Sequence, residues 1–343
     1  MTQAPDTMPT ARGAANSDAN YEQLAQAAKA AGDPLRLQIL RVLQHNAYGV
    51  LELCDIFGIR QSGMSHHLKV LAKAGWVATR REGTSIYYRR NLLAADHPLR
   101  SFYQQLFSVA DQLQLTSAVS QQVDRVHSAR AEASRRFFAE HSEQLKHNQD
   151  LMANWDDYGD SVVAMVRQLA EAMEDANEQG RVLEIGPGDG DLLPTLAQRF
   201  AKVIAIDNAE PMLRRSHGVV ADQTNVTFVM GDALAYCRML AGKPDRQLDL
   251  ISLNMVLHHI ADPAALVYAL AGALKPGGVV LITDLCEHDQ TWVRESCGDY
   301  WLGFAPDDLT EWAELAGLRP SGAEFLTLRN GFRVQLRQFQ RAA

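Results

Sequence analysis

Between Val182 and Gly190 the chain reads VLEIGPGDG, an acid followed by three glycines at alternate positions, and Asp207 stands 17 residues beyond the last of them. Glycines so spaced let the backbone approach a ligand that any Cβ would exclude, and an acid ending the next strand can accept both hydroxyls of a ribose. Together they predict nucleotide binding. A second set of reactive types lies earlier. Arg60, Lys69, Lys73, Arg80, Arg81, Arg89 and Arg90 fall in one stretch with Glu82 as its only acid. Such an excess can neutralise phosphates, although a solvated surface is the commoner fate of a charge run.

The elements that would position these groups differ between the two halves. Asp33-Pro34 reads as a helix start, Asp as N-cap and Pro at N1, followed by Leu37, Leu40, Val42 and Leu43 on a buried stripe. Two short helices follow, Val50 to Phe57 and Gln61 to Ala74, separated by Gly58-Ile59-Arg60, which is helix-turn-helix spacing. Trp76 to Arg90 then reads as two β-rich runs around Glu82-Gly83. Three helices and a basic hairpin predict a winged helix. On the Gln61 to Ala74 wheel, Met64, Leu68 and Leu71 form the core side, while Ser62, His66, Lys69 and Lys73 face away. His67 flanks the apolar stripe and reads as a packing residue.

Leu99, Phe102, Tyr103, Leu106, Ala110 and Leu113 lie on one face of a further helical segment, which predicts that this face pairs with something. From Gly180 the pattern becomes βα alternation. Arg181 to Ile185, Val203 to Ile206, Val226 to Met230, Asp249 to Leu253 and Val279 to Leu285 predict a parallel doubly wound sheet. Glu324 to Leu328 and Phe332 to Phe339 around Asn330-Gly331 add an antiparallel hairpin at its edge. The expected domains are a disordered tail (1–20), a winged-helix domain (21–97), a helical linker and dimerisation segment (98–150) and an α/β Rossmann-like domain (151–343).

Charge divides the same way: the net charge of −8 splits into +4 over residues 1–100 and −12 over the rest. No apolar run approaches the roughly 20 residues of a membrane helix, and no secretory h-region opens the chain, so a cytoplasmic protein without membrane contact is expected. Cys54, Cys237, Cys286 and Cys297 form no C-x-x-C pair, which agrees with a reducing compartment.

DPLRLQILRVL (Asp33 to Leu43), LELCDIFGIRQSGMSHHLKVLAKAGWV (Leu51 to Val77) and RREGTSIYYR (Arg80 to Arg89) resemble the ArsR/SmtB family of bacterial regulators. The resemblance implies a homodimer that binds an inverted repeat of double-stranded DNA and represses until an effector binds. DNA would be met by Gln61, Ser62, Ser65, His66, Lys69 and Lys73 on the recognition helix and by Arg80, Arg81 and Arg89 on the wing, with Arg90 beside them. The family's metal effectors need two close thiolates where this chain has only Cys54, and Asp124, His127 and His141 do not match its alternative spacing. No metal is expected.

VLEIGPGDG, GDA (Gly231 to Ala233), LISLNMVLHHI (Leu250 to Ile260) and LKPGGVVLITD (Leu274 to Asp284), in that order, resemble class I S-adenosylmethionine-dependent methyltransferases over roughly Asn154 to Phe339. The resemblance implies S-adenosylmethionine or S-adenosylhomocysteine in a cradle of Glu184, Gly186, Gly188 and Gly190. Asp207 would meet the ribose, Asp232 the adenine and Asn254 the sulfonium side. His258 or His259 could act as a base, although packing is the commoner role of such a pair; Cys286 and Cys297 read as packing residues. Fused in this order, the halves are similar to S-adenosylhomocysteine-responsive regulators of the methionine cycle. The expected function is a DNA-binding repressor with a nucleoside effector; the alternative is an active small-molecule methyltransferase carrying a regulatory domain.

Overall fold

Alanine-rich sequence begins the described chain as helix α1 (Ala11–Ala31), which takes in ten residues, 11–20, of the expected tail. Alanine is the best intrinsic helix former, and Ala11, Ala14, Ala15 and Ala19 extend the helix where bulky apolar residues are missing. The computed structural model describes residues 11–44, 46–82, 85–91, 93, 97–175 and 180–342; the side chains of 11–20, 81, 82, 134, 135, 138–146, 173–175 and 295 lie outside that description. Two units divide the chain, Met1–Val126 and His127–Ala343.

In the first unit, the Asp33 carboxylate accepts the Arg36 N–H at 3.0 Å and Pro34 opens α2 (Pro34–Val42). After β1 (Tyr48–Gly49), helix α3 (Val50–Phe57) ends at Gly58, whose φ of 64° is the left-handed conformation glycine adopts without strain. Helix α4 (Gln61–Lys73) follows, then β2 (Val77–Glu82) and β3 (Ser85–Arg90), paired antiparallel from Val77↔Arg90 to Glu82↔Ser85, with β1 on the other side of β3. Gly83 lies outside the described residues. Met64, Leu68 and Leu71 are fully buried, as the wheel requires.

Helix α5 (Arg100–Gln112) changes the reading of the linker. Its apolar face closes the first unit's own core: Tyr103 stacks on Trp76 at 3.9 Å between centroids, and Phe107 meets the same indole edge-on at 5.4 Å. Burying two aromatics against a fully enclosed tryptophan satisfies this face within the chain. The division between units falls within α6 (Ser117–Met152), 29 residues beyond the expected edge of the winged-helix domain at 97.

The second unit adds α7 (Trp155–Asp175), β4 (Arg181–Ile185), α8 (Leu193–Arg199), β5 (Lys202–Asp207), α9 (Glu210–Val219), β6 (Val226–Met230) and α10 (Ala233–Leu240). Then come β7 (Leu248–Asn254), α11 (Pro263–Ala273), β8 (Leu274–Leu285), α12 (Trp292–Cys297), α13 (Pro306–Leu315), β9 (Leu318–Thr327) and β10 (Arg333–Arg341). The strand order is β6-β5-β4-β7-β8-β10-β9; the first five run parallel, and β10 runs antiparallel to both β8 and β9. Order reverses between β4 and β7, so a crevice opens outside the carboxyl ends of those strands. The glycine turn follows β4 and Asn254 ends β7. Among the described residues no helix is long and apolar enough to cross a membrane.

Candidate functional site

The polar face of α4 is the first candidate. Gln61, Ser62, Ser65, His66, Lys69 and Lys73 are all exposed, and Ser62, His66, Lys69 and Lys73 follow one another at helical i+4, i+3, i+4 spacing on one side. His67 is half-buried, with Nδ1 4.0 Å from the Asp33 carboxylate, consistent with a packing role. On the strand pair, Arg80 opposite Tyr87 and Arg89 opposite Ala78 are half-buried; Arg81 lies opposite Ile86, its side chain outside the described residues.

Arg90 departs from the expectation that it joins the basic wing. It is 7% exposed, donates to the Leu40 carbonyl at 2.7 Å, and forms a two-pronged pair with Asp111 at 2.9 and 2.5 Å. Its guanidinium also lies 4.4 Å from the centre of the Phe107 ring. Strand alternation turns Arg90 inward beside outward-leaning neighbours, where the α5 carboxylate completes it.

The second candidate is the crevice between β4 and β7. Gly186, Gly188 and Gly190 have φ of 64°, 55° and 89°. At Gly186 geometry adds to the conformational demand, since a Cβ would sit 2.5 Å from Val256 Cγ2, whereas at Gly188 nothing lies within 4 Å. Glu184, the penultimate residue of β4, is buried, and Asn254 Nδ2 donates to its Oε1 at 3.0 Å and to Ser252 Oγ at 3.1 Å. Burial pushes the Glu184 carboxyl up to about 8, against the lowering effect of the Asn254 and Ser252 side chains beside it. Glu184 Oε2 and Asn254 Oδ1 are buried without a hydrogen-bond partner among the described residues.

Asp207 ends β5, and its Oδ1 accepts the Ala209 N–H at 2.8 Å; burial raises this carboxyl to about 6, opposed by backbone donors at Ala209 and Asn208. Asp232 is exposed and caps α10, accepting the Ala235 N–H at 2.7 Å. Glu184 and Asp207 thus lie within the last residues of β4 and β5, Gly186, Gly188 and Gly190 in the turn after β4, Asp232 in the turn after β6, and Asn254 at the end of β7.

His258 and His259 lie in the short turn after β7, both buried. His258 Nδ1 is 2.8 Å from Asp284 Oδ1 at the end of β8. Burial lowers the basicity of His258, but the carboxylates of Asp284 and Asp299 outweigh it and hold the ring above the usual histidine range. Burial and the neighbouring His258 keep His259 well below that range. Neither ring is an exposed base. Cys286 and Cys297 are buried thiols raised by burial, in keeping with a packing role.

Sequence reasoning passed over Asp284 and Asp299, the two acids that meet His258, and Met255, whose φ of 52° is the left-handed conformation in a residue other than glycine. An acid closing a strand of apolar residues, as Asp284 closes VVLIT, was the available signal. Asp299 and Met255 carried none.

Comparison with known proteins divides along the same boundary. Residues 33–79 match the family described as bacterial regulatory protein, arsR family, and residues 158–325 match a methyltransferase domain family. The chain is similar over part of its length to ubiquinone biosynthesis O-methyltransferases. That of Leptothrix cholodnii is 32% identical over 146 residues, covering 41% of this chain and 59% of the relative. That of Dinoroseobacter shibae is 33% identical over 156 residues, covering 41% and 60%. The chain thus spans about three-fifths of the length of these curated relatives. A crystal structure of an N-methyltransferase from Bradyrhizobium japonicum WM9 in complex with S-adenosyl-L-homocysteine aligns with a TM-score of 0.43 at 15% identity, covering 58% of this chain and 99% of that one. The chain joins an arsR-family helix-turn-helix segment to a methyltransferase domain in one polypeptide.

Proposed function

We propose that the chain is a DNA-binding transcriptional regulator, in function a repressor, whose second unit takes S-adenosylhomocysteine or S-adenosylmethionine as its effector. The observation that carries the reading is the pair of buried, unpartnered acceptors, Glu184 Oε2 and Asn254 Oδ1, beside a glycine turn at the point where strand order reverses. Unsatisfied buried acceptors cost about 1–3 kcal/mol each, and an ammonium such as that of the methionine moiety supplies the missing donors. Gly186 and Gly188 would admit that moiety closely, the Asp207 carboxylate would accept from the ribose, and the exposed Asp232 would meet the adenine.

The exposed row on α4 supports a recognition helix, with Lys69 and Lys73 on phosphates and Gln61, Ser62, Ser65 and His66 near base edges. Arg80, Arg81 and Arg89 would flank it as a wing. Binding to an inverted repeat implies a homodimer, with recognition helices about one DNA turn apart.

An active methyltransferase is the second reading, favoured by the likeness to O-methyltransferases. In its favour too, the proposed cradle would serve a cofactor as well as an effector. Against it, the two histidines that could act as bases are buried.

DNA selected by the full-length chain from a random pool separates the two. Its affinity is titrated with S-adenosylhomocysteine, with S-adenosylmethionine and with neither, and methylated product is assayed in the same samples. The regulator reading expects at least a fivefold change in DNA affinity with one nucleoside, reciprocated in nucleoside affinity by linkage. Three equal affinities with methyl transfer to an identified acceptor would replace it with the enzyme.

A further inference from the structure

Asp299 is a carboxylate with no exposed side-chain surface, and neither of its oxygens has a hydrogen-bond partner among the described residues. A bare buried carboxylate is costly, and such groups are paired, protonated or bound to a cation. His259 Nδ1 faces the Gly298 carbonyl at 3.4 Å, which leaves Nε2 as the ring's lone-pair donor in that tautomer; Asp299 Oδ1 lies 3.8 Å from His258 Nε2 and 3.6 Å from His259 Nδ1. The two separations from Asp299 are too long for hydrogen bonds. They fit a small ion between the groups, because two donors each about 2.0–2.1 Å from a tetrahedral ion stand roughly 3.4 Å apart.

A second observation concerns which atoms are offered. His258 Nδ1 is engaged by Asp284 at 2.8 Å, which leaves Nε2 directed at Asp299 without a hydrogen-bond partner among the described residues. A carboxylate behind a histidine fixes the ring and raises its basicity as a ligand. One ligand atom from each of His258, His259 and Asp299 falls within 4.8 Å of the others. The main chain holds the two segments in place, since the Tyr300 and Trp301 N–H groups both donate to the His258 carbonyl, at 3.0 and 3.1 Å.

We infer that His258, His259 and Asp299 form a buried site for a divalent transition-metal ion of borderline softness, with Asp284 orienting His258 from behind. Two imidazoles and one carboxylate suit zinc or cobalt; magnesium and calcium prefer oxygen donors throughout, and copper(I) prefers sulfur. Three protein ligands leave one tetrahedral position for water or another oxygen donor. The ion clasps the turn after β7 to the segment after α12, four residues beyond Asn254. This site departs from the expectation drawn from the sequence that the chain holds no metal.

The test uses the full-length chain, stripped with a chelator, titrated with cobalt(II) alone and desalted before metal analysis and visible spectroscopy. One cobalt per chain with the absorption bands of a four-coordinate site is expected. Asp299→Asn should weaken binding at least tenfold, Asp284→Asn should weaken it about 10- to 100-fold, and Cys54→Ser should leave it unchanged. Should Asp299→Asn fail to fold, His259→Gln carries the same comparison. A wild-type chain that retains no cobalt, or retains it as tightly in the folded ligand variants, would overturn the site.

Discussion

The exposed row on α4 and the crevice between β4 and β7 hold polar groups under opposite conditions. Lys69 and Lys73 stand in water, where a charge costs nothing to maintain and acts on a partner through a field that salt screens. Glu184 and Asn254 are held out of water with acceptors left open, so their interactions are short-ranged, strong and dependent on protonation. Arg90 shows that the division is not one of residue type. One residue from Arg89 and in the same basic run, it is buried and spent on Asp111. A surface that reads phosphate can tolerate the loss of one member; a buried pair or an open acceptor cannot.

That contrast is broken most severely at Arg90. Arg90→Ala leaves Asp111 without its partner and should destabilise the first unit by about 3 kcal/mol, seen as a lowered denaturant midpoint. An unchanged midpoint would mean that the pair contributes nothing.

At Gly186, Ala adds a Cβ 2.5 Å from Val256 in a left-handed backbone and should cost about 2–3 kcal/mol of stability. At Gly188, where nothing lies within 4 Å, Ala should cost only the conformational penalty of about 1 kcal/mol. Equal losses in thermal melts would remove Val256 from the account.

Glu184→Gln removes the charge while keeping the shape, and should cost nucleoside binding about 1.5–3 kcal/mol by calorimetry. The wild-type carboxyl, raised to about 8, is protonated below that pH, and a cationic ligand favours its ionised form. Binding at about pH 6 should therefore release close to one proton, measured as a dependence of heat on buffer ionisation, and Gln should abolish that release. The same shift sets stability without ligand: the folded state holds the proton more tightly than the unfolded chain, so stability falls as pH rises from about 4.5 through about 8. Buffer-independent heats in the wild type would show Glu184 already ionised or uninvolved.

The smallest effect is expected at Lys69. Its replacement by Ala should lower the slope of log affinity for DNA against log salt by about one, with nucleoside binding unchanged. An unaltered slope would take Lys69 off the phosphate path.

Periodicity and local chemistry determined much of this from the sequence alone. Apolar runs marked β4 and β6 to the residue, the Asp33 cap and Pro34 marked the start of α2, and Met64, Leu68 and Leu71 marked the inner side of α4. The acids and glycines of the crevice were legible because each sits within a few residues of a strand end, where the backbone itself sets its position. Tertiary structure decided the rest. Whether Arg90 faced water or Asp111, whether the aromatic face of α5 closed its own core, and which acids met His258 depend on segments 21 to 41 residues apart coming together. Local pattern carries no record of such meetings, because they are set by packing between elements rather than by the period within one.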